Sequence, residues 1–134
     1  MTLQIEEKIV TAMVEHGRRE LPNEACGYLA AQDGVVGRHF ELTNRDAASD
    51  HFTMDPAEQF AAIRQMREEG LEVAAVYHTH PETPARPSNE DIRLANDPAM
   101  VYVIVSLLAI EEPIRAFRIN GGEVVEVPLR VLTA

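Results

Sequence analysis

Residues 78–91 read HTHPETPARPSNED, and the six residues before them, Glu72 to Tyr77, read EVAAVY. The earlier run is short and mostly apolar, the pattern of a central strand buried on both faces. It passes without a break into His78-Thr79-His80. Side chains alternate along a strand, so His78 and His80 project to one side and Thr79 to the other. The two histidine Cα atoms then lie ~6.6 Å apart, a span that two imidazoles can close onto one ion. Prolines 81, 84 and 87 make the next segment a rigid loop. Ser88 then reads as the N-cap of a short helix reaching Asn96, with Asp91 in the capping-box position. A helix start fixed in this way can aim Asp91 back towards the histidines as a third ligand. Two neutral imidazoles, a carboxylate and one open position form the donor set of a hydrolytic metal centre. Each part also has an ordinary reading. Paired histidines near a strand end are often only polar residues, and Ser-x-x-Asp is a common cap. The cap and the ligand readings are compatible.

Working outward, the spacing predicts an opening helix over Leu3 to Arg19, with Ile5, Ile9, Ala12, Met13 and His16 on one face. Gly17 and Pro22 bracket its end. Ala25 to Ala31 reads as a strand, Asp33-Gly34 as a hairpin turn, and Val35 to Leu42 as the returning partner. Thr43 to Asp50 is polar loop, and His51 to Met54 a short strand. Asp55-Pro56-Ala57-Glu58 starts a second helix, with Asp as N-cap, Pro at the first position and Glu in the capping-box place. That helix runs to about Glu69 and stops at Gly70. Met100 to Leu108 is a second buried strand, and Pro113 to Ile119 with Glu123 to Leu129 forms a hairpin around Asn120-Gly121. The sum is one α/β domain over residues 1–134, a mixed central sheet flanked by helices.

Composition bounds the function. Twelve basic residues against 22 acidic ones give a net charge of −10, which disfavours nucleic acid and anionic membranes as partners. The N-terminus lacks the basic-then-apolar order of a signal peptide, and no apolar run reaches the ~20 residues of a membrane span. A single cysteine excludes an internal disulfide framework and fits a reducing, cytoplasmic location. That residue, Cys26, is read as buried packing. The alternative is a thiol near the site, on the face of Glu24. His16, His39 and His51 lack ligand spacing and read as helix-face or surface residues.

The pattern H-x-H, seven residues, S, two residues, D resembles the signature of the JAMM metalloproteases, the MPN-plus or Mov34/JAB1 family. His78, His80, Ser88 and Asp91 fill it, and Pro81 and Pro87 stand where that family usually has proline. The family also has a glutamate at the start of an early strand, and Glu24 in NEACGYLA has that context. Spacing alone leaves Glu82 and Glu90 as rivals, read as solvated acids of the loop and of the first helical turn. The resemblance implies an MPN fold (JAB1/cytidine-deaminase-like). It implies Zn2+ held by His78, His80 and Asp91, although iron or manganese is compatible with the donors. It implies Glu24 as general base and then acid, and Ser88 as hydrogen-bond donor to the oxyanion. The chain is similar to the compact prokaryotic members, which implies a peptidase acting on a ubiquitin-like or sulfur carrier protein with a flexible Gly-Gly C-terminus. Two other readings fit the family: a metal-free MPN scaffold, marked by loss of ligands, and a DNA-repair-associated relative. Every ligand position is filled here, and the acidic charge opposes the last. The oligomeric state has no signature in the sequence.

Overall fold

The computed structural model describes residues 1–133. In chain order the elements are β1 (Leu3–Glu6), α1 (Glu7–Glu20), β2 (Cys26–Gln32), β3 (Val35–Leu42), α2 (Pro56–Glu68), β4 (Glu72–His80), α3 (Asn89–Leu94), β5 (Tyr102–Ser106), β6 (Ile114–Asn120), β7 (Glu123–Val127) and β8 (Leu129–Leu132). They build an eight-stranded sheet in the order β7-β6-β5-β4-β2-β3-β1-β8. The sheet is mixed: β4 runs parallel to β5, and β1 parallel to both β3 and β8, while the other pairs are antiparallel. As its apolar composition requires, β4 lies in the interior of the order.

The opening segment departs from the expected helix. Leu3 and Ile5 are buried while Gln4 and Glu6 are half-buried, a period of two that fits a strand. Pairing with β3 and β8 therefore captures Leu3–Glu6, and the helix begins at Glu7. At the other end, the expected single strand from Glu123 is divided. Pro128 has no N–H to donate, and the chain changes partner there, from β6 to β1. Its carbonyl accepts from the Leu3 N–H at 2.9 Å. Because β7 and β8 close the two ends of the order yet are one residue apart, the sheet curls until its ends meet. His51 to Met54 forms no strand, only a bridge between Met54 and Asn44.

Each face of the sheet carries a helix. Ile9 and Met13 of α1 pack on Leu29, Tyr77, Val103 and Val105. Ala62 and Met66 of α2 pack on Cys26, Tyr28, Ala30 and Phe40. Gly27 is required where β2 lies tightly between its two neighbouring strands, since a Cβ there would sit 2.2 Å from the Phe40 carbonyl oxygen of β3 and 2.6 Å from the Tyr77 ring of β4. Asp55 caps α2 by accepting from Ala57 N at 2.8 Å. The expected return bond from Glu58 is not made. Its carboxylate accepts instead from Thr43 N and Oγ1 at 2.7 and 2.8 Å, tying the loop after β3 to the helix.

Candidate metal centre

The site forms where β4 ends and α3 begins. The strand puts His78 and His80 on the face of α2 and turns Thr79 to the face of α1, as strand alternation demands. The proline loop reverses the chain, and α3 opens on a complete capping box. Ser88 Oγ accepts from Asp91 N at 3.0 Å, and Asp91 Oδ2 accepts from Ser88 N at 2.9 Å. The same Oδ2 lies 3.2 Å from His78 Nε2 and 3.1 Å from His80 Nε2, and the two Nε2 atoms are 3.1 Å apart. The cap and the ligand readings of Asp91 are therefore compatible, since the capped carboxylate is the one that meets the histidines.

This triangle has the dimensions of a coordination sphere. Donors bonded at ~2.0–2.1 Å around a tetrahedral ion are separated by roughly 3.3 Å. His80 Nδ1 lies 2.8 Å from the Pro84 carbonyl oxygen and, by donating to it, leaves Nε2 with a bare lone pair. In that state three electron-rich atoms face one point, and a cation satisfies all three. Among the described residues, His78, His80 and Asp91 are the one group with such convergence.

Protonation follows the surroundings. Burial works against the Asp91 charge, but hydrogen bonds from His78 and His80 outweigh it and hold the carboxyl well below its usual range. Burial pushes His78 below its ordinary value, against the pull of Asp91. Burial acts the same way on His80, where Asp91 and the Pro84 carbonyl prevail and raise it. The shifts of Asp91 and His78 thus run towards the ionised and neutral forms that ligands need, while that of His80 runs the other way in the metal-free chain.

Glu24 precedes β2. The pairing of Cys26 with His78, continued two residues, sets Glu24 opposite His80. Its backbone is held by Ala48, whose carbonyl accepts from Glu24 N at 2.8 Å, and by Asn44, whose Nδ2 donates to the Glu24 carbonyl at 3.1 Å. The side chain is 3% exposed and its Oε1 is buried without a partner. Burial pushes this carboxyl up to about 8, with His80 pulling down and Asp91 pushing up. The rivals are elsewhere in character: Glu82 is exposed, and Glu90 pairs with Arg93 on α3. Cys26 does share the face of His78, yet it is buried against α2, with Sγ 3.8 Å from the Leu42 carbonyl and its thiol pushed by burial to about 12. His16 lies on the buried face of α1, its Nδ1 2.8 Å from Tyr77 Oη.

A cleft of about 450 Å³ opens beside His78 and Asp91, walled by Phe52, Val76 and Ile104 and reaching Tyr28 and Gln59. Several residues of the site's frame were not singled out from sequence. The Phe52 ring lies 4.8 Å from that of His78. Asn44 gathers the loop after β3, with Nδ2 3.0 Å from the His51 carbonyl and Oδ1 accepting from Asp46 N and Thr53 N at 3.2 Å. Ser106 donates to the Thr83 carbonyl at 2.7 Å and so steadies the proline loop. The sequence signal for Asn44 is modest: an Asn in a polar stretch where side chains replace backbone partners.

Comparison with known proteins agrees with this geometry. Residues 6–120 match the family model described as prokaryotic homologs of the JAB domain. The chain is 37% identical to the CysO-cysteine peptidase of Mycobacterium tuberculosis over 136 residues, covering 97% of this chain and 91% of the relative. It is 35% identical over 118 residues to a probable TtuB-protein conjugate cleaving protease of Thermus thermophilus, covering 87% and 74%. The solution structure of protein DSY2949 from Desulfitobacterium hafniense superposes with a TM-score of 0.90 at 40% identity, covering 100% of this chain and 94% of that one. The chain belongs to the prokaryotic JAB family, the JAMM/MPN lineage that its H-x-H…S-x-x-D segment resembles.

Proposed function

We propose that this chain is a zinc metallopeptidase that hydrolyses the peptide or isopeptide bond at the C-terminal tail of a ubiquitin-like sulfur carrier protein. One observation carries the reading: three donor atoms converge within 3.2 Å of one another, across a strand pair from a buried, unpartnered carboxyl. His78, His80 and Asp91 would hold the ion. Bound zinc activates water and polarises the scissile carbonyl. Glu24 takes the proton from the attacking water and returns it to the leaving amine. Burial raises this carboxyl in the metal-free chain, and a cation held beside it would lower it again towards the ionised form that accepts the water proton. Ser88 Oγ already accepts from Asp91 N, which leaves its hydroxyl hydrogen to donate to the oxyanion.

The substrate class is supported by the relatives, one named for CysO-cysteine and one for TtuB conjugates. An extended Gly-Gly tail has no side chains to obstruct a narrow approach, and main-chain pairing at a strand can hold it. Among the described residues no helix is long and apolar enough to cross a membrane, and a cytoplasmic location fits such a substrate. The test is a panel of carrier proteins ending in Gly-Gly-X, incubated with the zinc-loaded protein, with released X measured. Cleavage after the second glycine, abolished by chelator and restored by zinc, supports the proposal. No release for any X contradicts it.

A further inference from the structure

We propose that Thr79, the middle residue of His78-Thr79-His80, is a positioning residue that sets Glu24 against the metal ligands from the opposite face of the sheet. Its inference rests on the reading of Glu24 as the base. Thr79 is 0% exposed and points towards α1, where its methyl packs so closely on Gly17 that a Cβ there would be 2.8 Å away. The β2–β4 pairing at this point is made in an uncommon way. Thr79 N donates to the Ala25 carbonyl at 3.0 Å, but the Ala25 N–H returns its bond to the Thr79 hydroxyl, at 2.9 Å. That N–H belongs to the peptide bond joining Glu24 to Ala25. One side chain flanked by two metal ligands thereby holds the peptide unit of the base.

The remaining restraints on Glu24 come from the loop after β3, through Ala48 and Asn44. They fix Glu24 relative to the loop, not relative to β4. The Thr79 hydroxyl and the Ala25 carbonyl are the direct ties from the ligand strand to Ala25. A buried N–H must keep a partner. If the hydroxyl is lost, the start of β2 shifts to find another, and Glu24 shifts with it. Asp91 is held by the cap of α3, His80 by Pro84 and His78 by the pairing of β4 with β5, so the ligands stay.

Thr79→Val keeps the shape and the methyl but removes the acceptor, and Thr79→Ser keeps the acceptor. In the Val variant we expect zinc affinity within a factor of about two of the parent, with kcat reduced roughly ten- to hundredfold at little-changed KM. In the metal-free protein, amide hydrogen exchange at Ala25 is expected to accelerate about tenfold or more. Thr79→Ser is expected to restore both readouts. Should Thr79→Val bind zinc and turn over like the parent, or should Ser fail to rescue a folded, zinc-binding protein, the assignment is overturned. A Glu24→Gln arm separates the two claims. If that variant retains full turnover, the base reading itself falls. If it is inactive while Thr79→Val is unimpaired, the Thr79 assignment alone falls.

Discussion

Replacing Glu24 by Gln tests the environment of the base without any substrate. The substitution keeps the shape and removes the ionisable group. In the folded, metal-free chain, burial raises the Glu24 carboxyl from 4.5 to about 8. The unfolded chain releases that proton first, so folding binds a proton throughout this window. Stability from this group is therefore complete below pH 4.5, falls as pH rises towards 8, and levels off above it. At 1.36 kcal/mol per pK unit the ceiling is about 5 kcal/mol. Water entering through the adjoining cleft offsets part of it, and about 2–3 kcal/mol is expected. The assay is urea unfolding of parent and variant with chelator present, from pH 4.5 to pH 9. Taking the difference between the two proteins at each pH cancels most of the contribution of the histidines. The variant should gain on the parent by about 2–3 kcal/mol between pH 5 and pH 8.5. A difference that does not change with pH would refute the claim that Glu24 is held in a desolvated site.

Two further substitutions probe the frame and the chemistry. Tyr77→Phe removes the partner of buried His16 Nδ1 on the α1 face, and should cost about 1–3 kcal/mol in urea unfolding while leaving zinc affinity unchanged. Ser88→Ala removes both the cap of α3 and the proposed oxyanion donor, so kcat should fall by roughly 10²–10³ with a stability loss of about 1 kcal/mol. A fall in kcat no greater than severalfold would limit Ser88 to its capping role.

The convergence of His78, His80 and Asp91 was legible because both of its parts are local. Strand alternation pairs His78 with His80, and a capping box orients Asp91; neither depends on distant chain. Glu24 was not legible in this way. Its place opposite His80 is set by β2–β4 pairing between segments far apart in sequence, and its strand-start position together with the family resemblance singled it out from Glu82 and Glu90. The first strand was hidden by Ile5, which falls on the apolar face of the helix and on the buried side of the strand alike. Long-range pairing with β3 and β8 decides between them. The division at Pro128 had a visible cause in the proline, but the change of partner depends on the curl of the whole sheet. Glu58 shows the same limit: its capping place was readable, and its actual partner, Thr43, belongs to another loop.

The central claim is that His78, His80 and Asp91 close on a single ion. Its most direct measurement is the metal content of the purified protein after reconstitution with zinc and removal of excess, for the parent and for His78→Ala and Asp91→Ala. The account predicts about one zinc per parent chain and loss of that zinc in both variants, each still folded by circular dichroism. A parent that holds no zinc, or folded variants that retain it at the same stoichiometry, would contradict it.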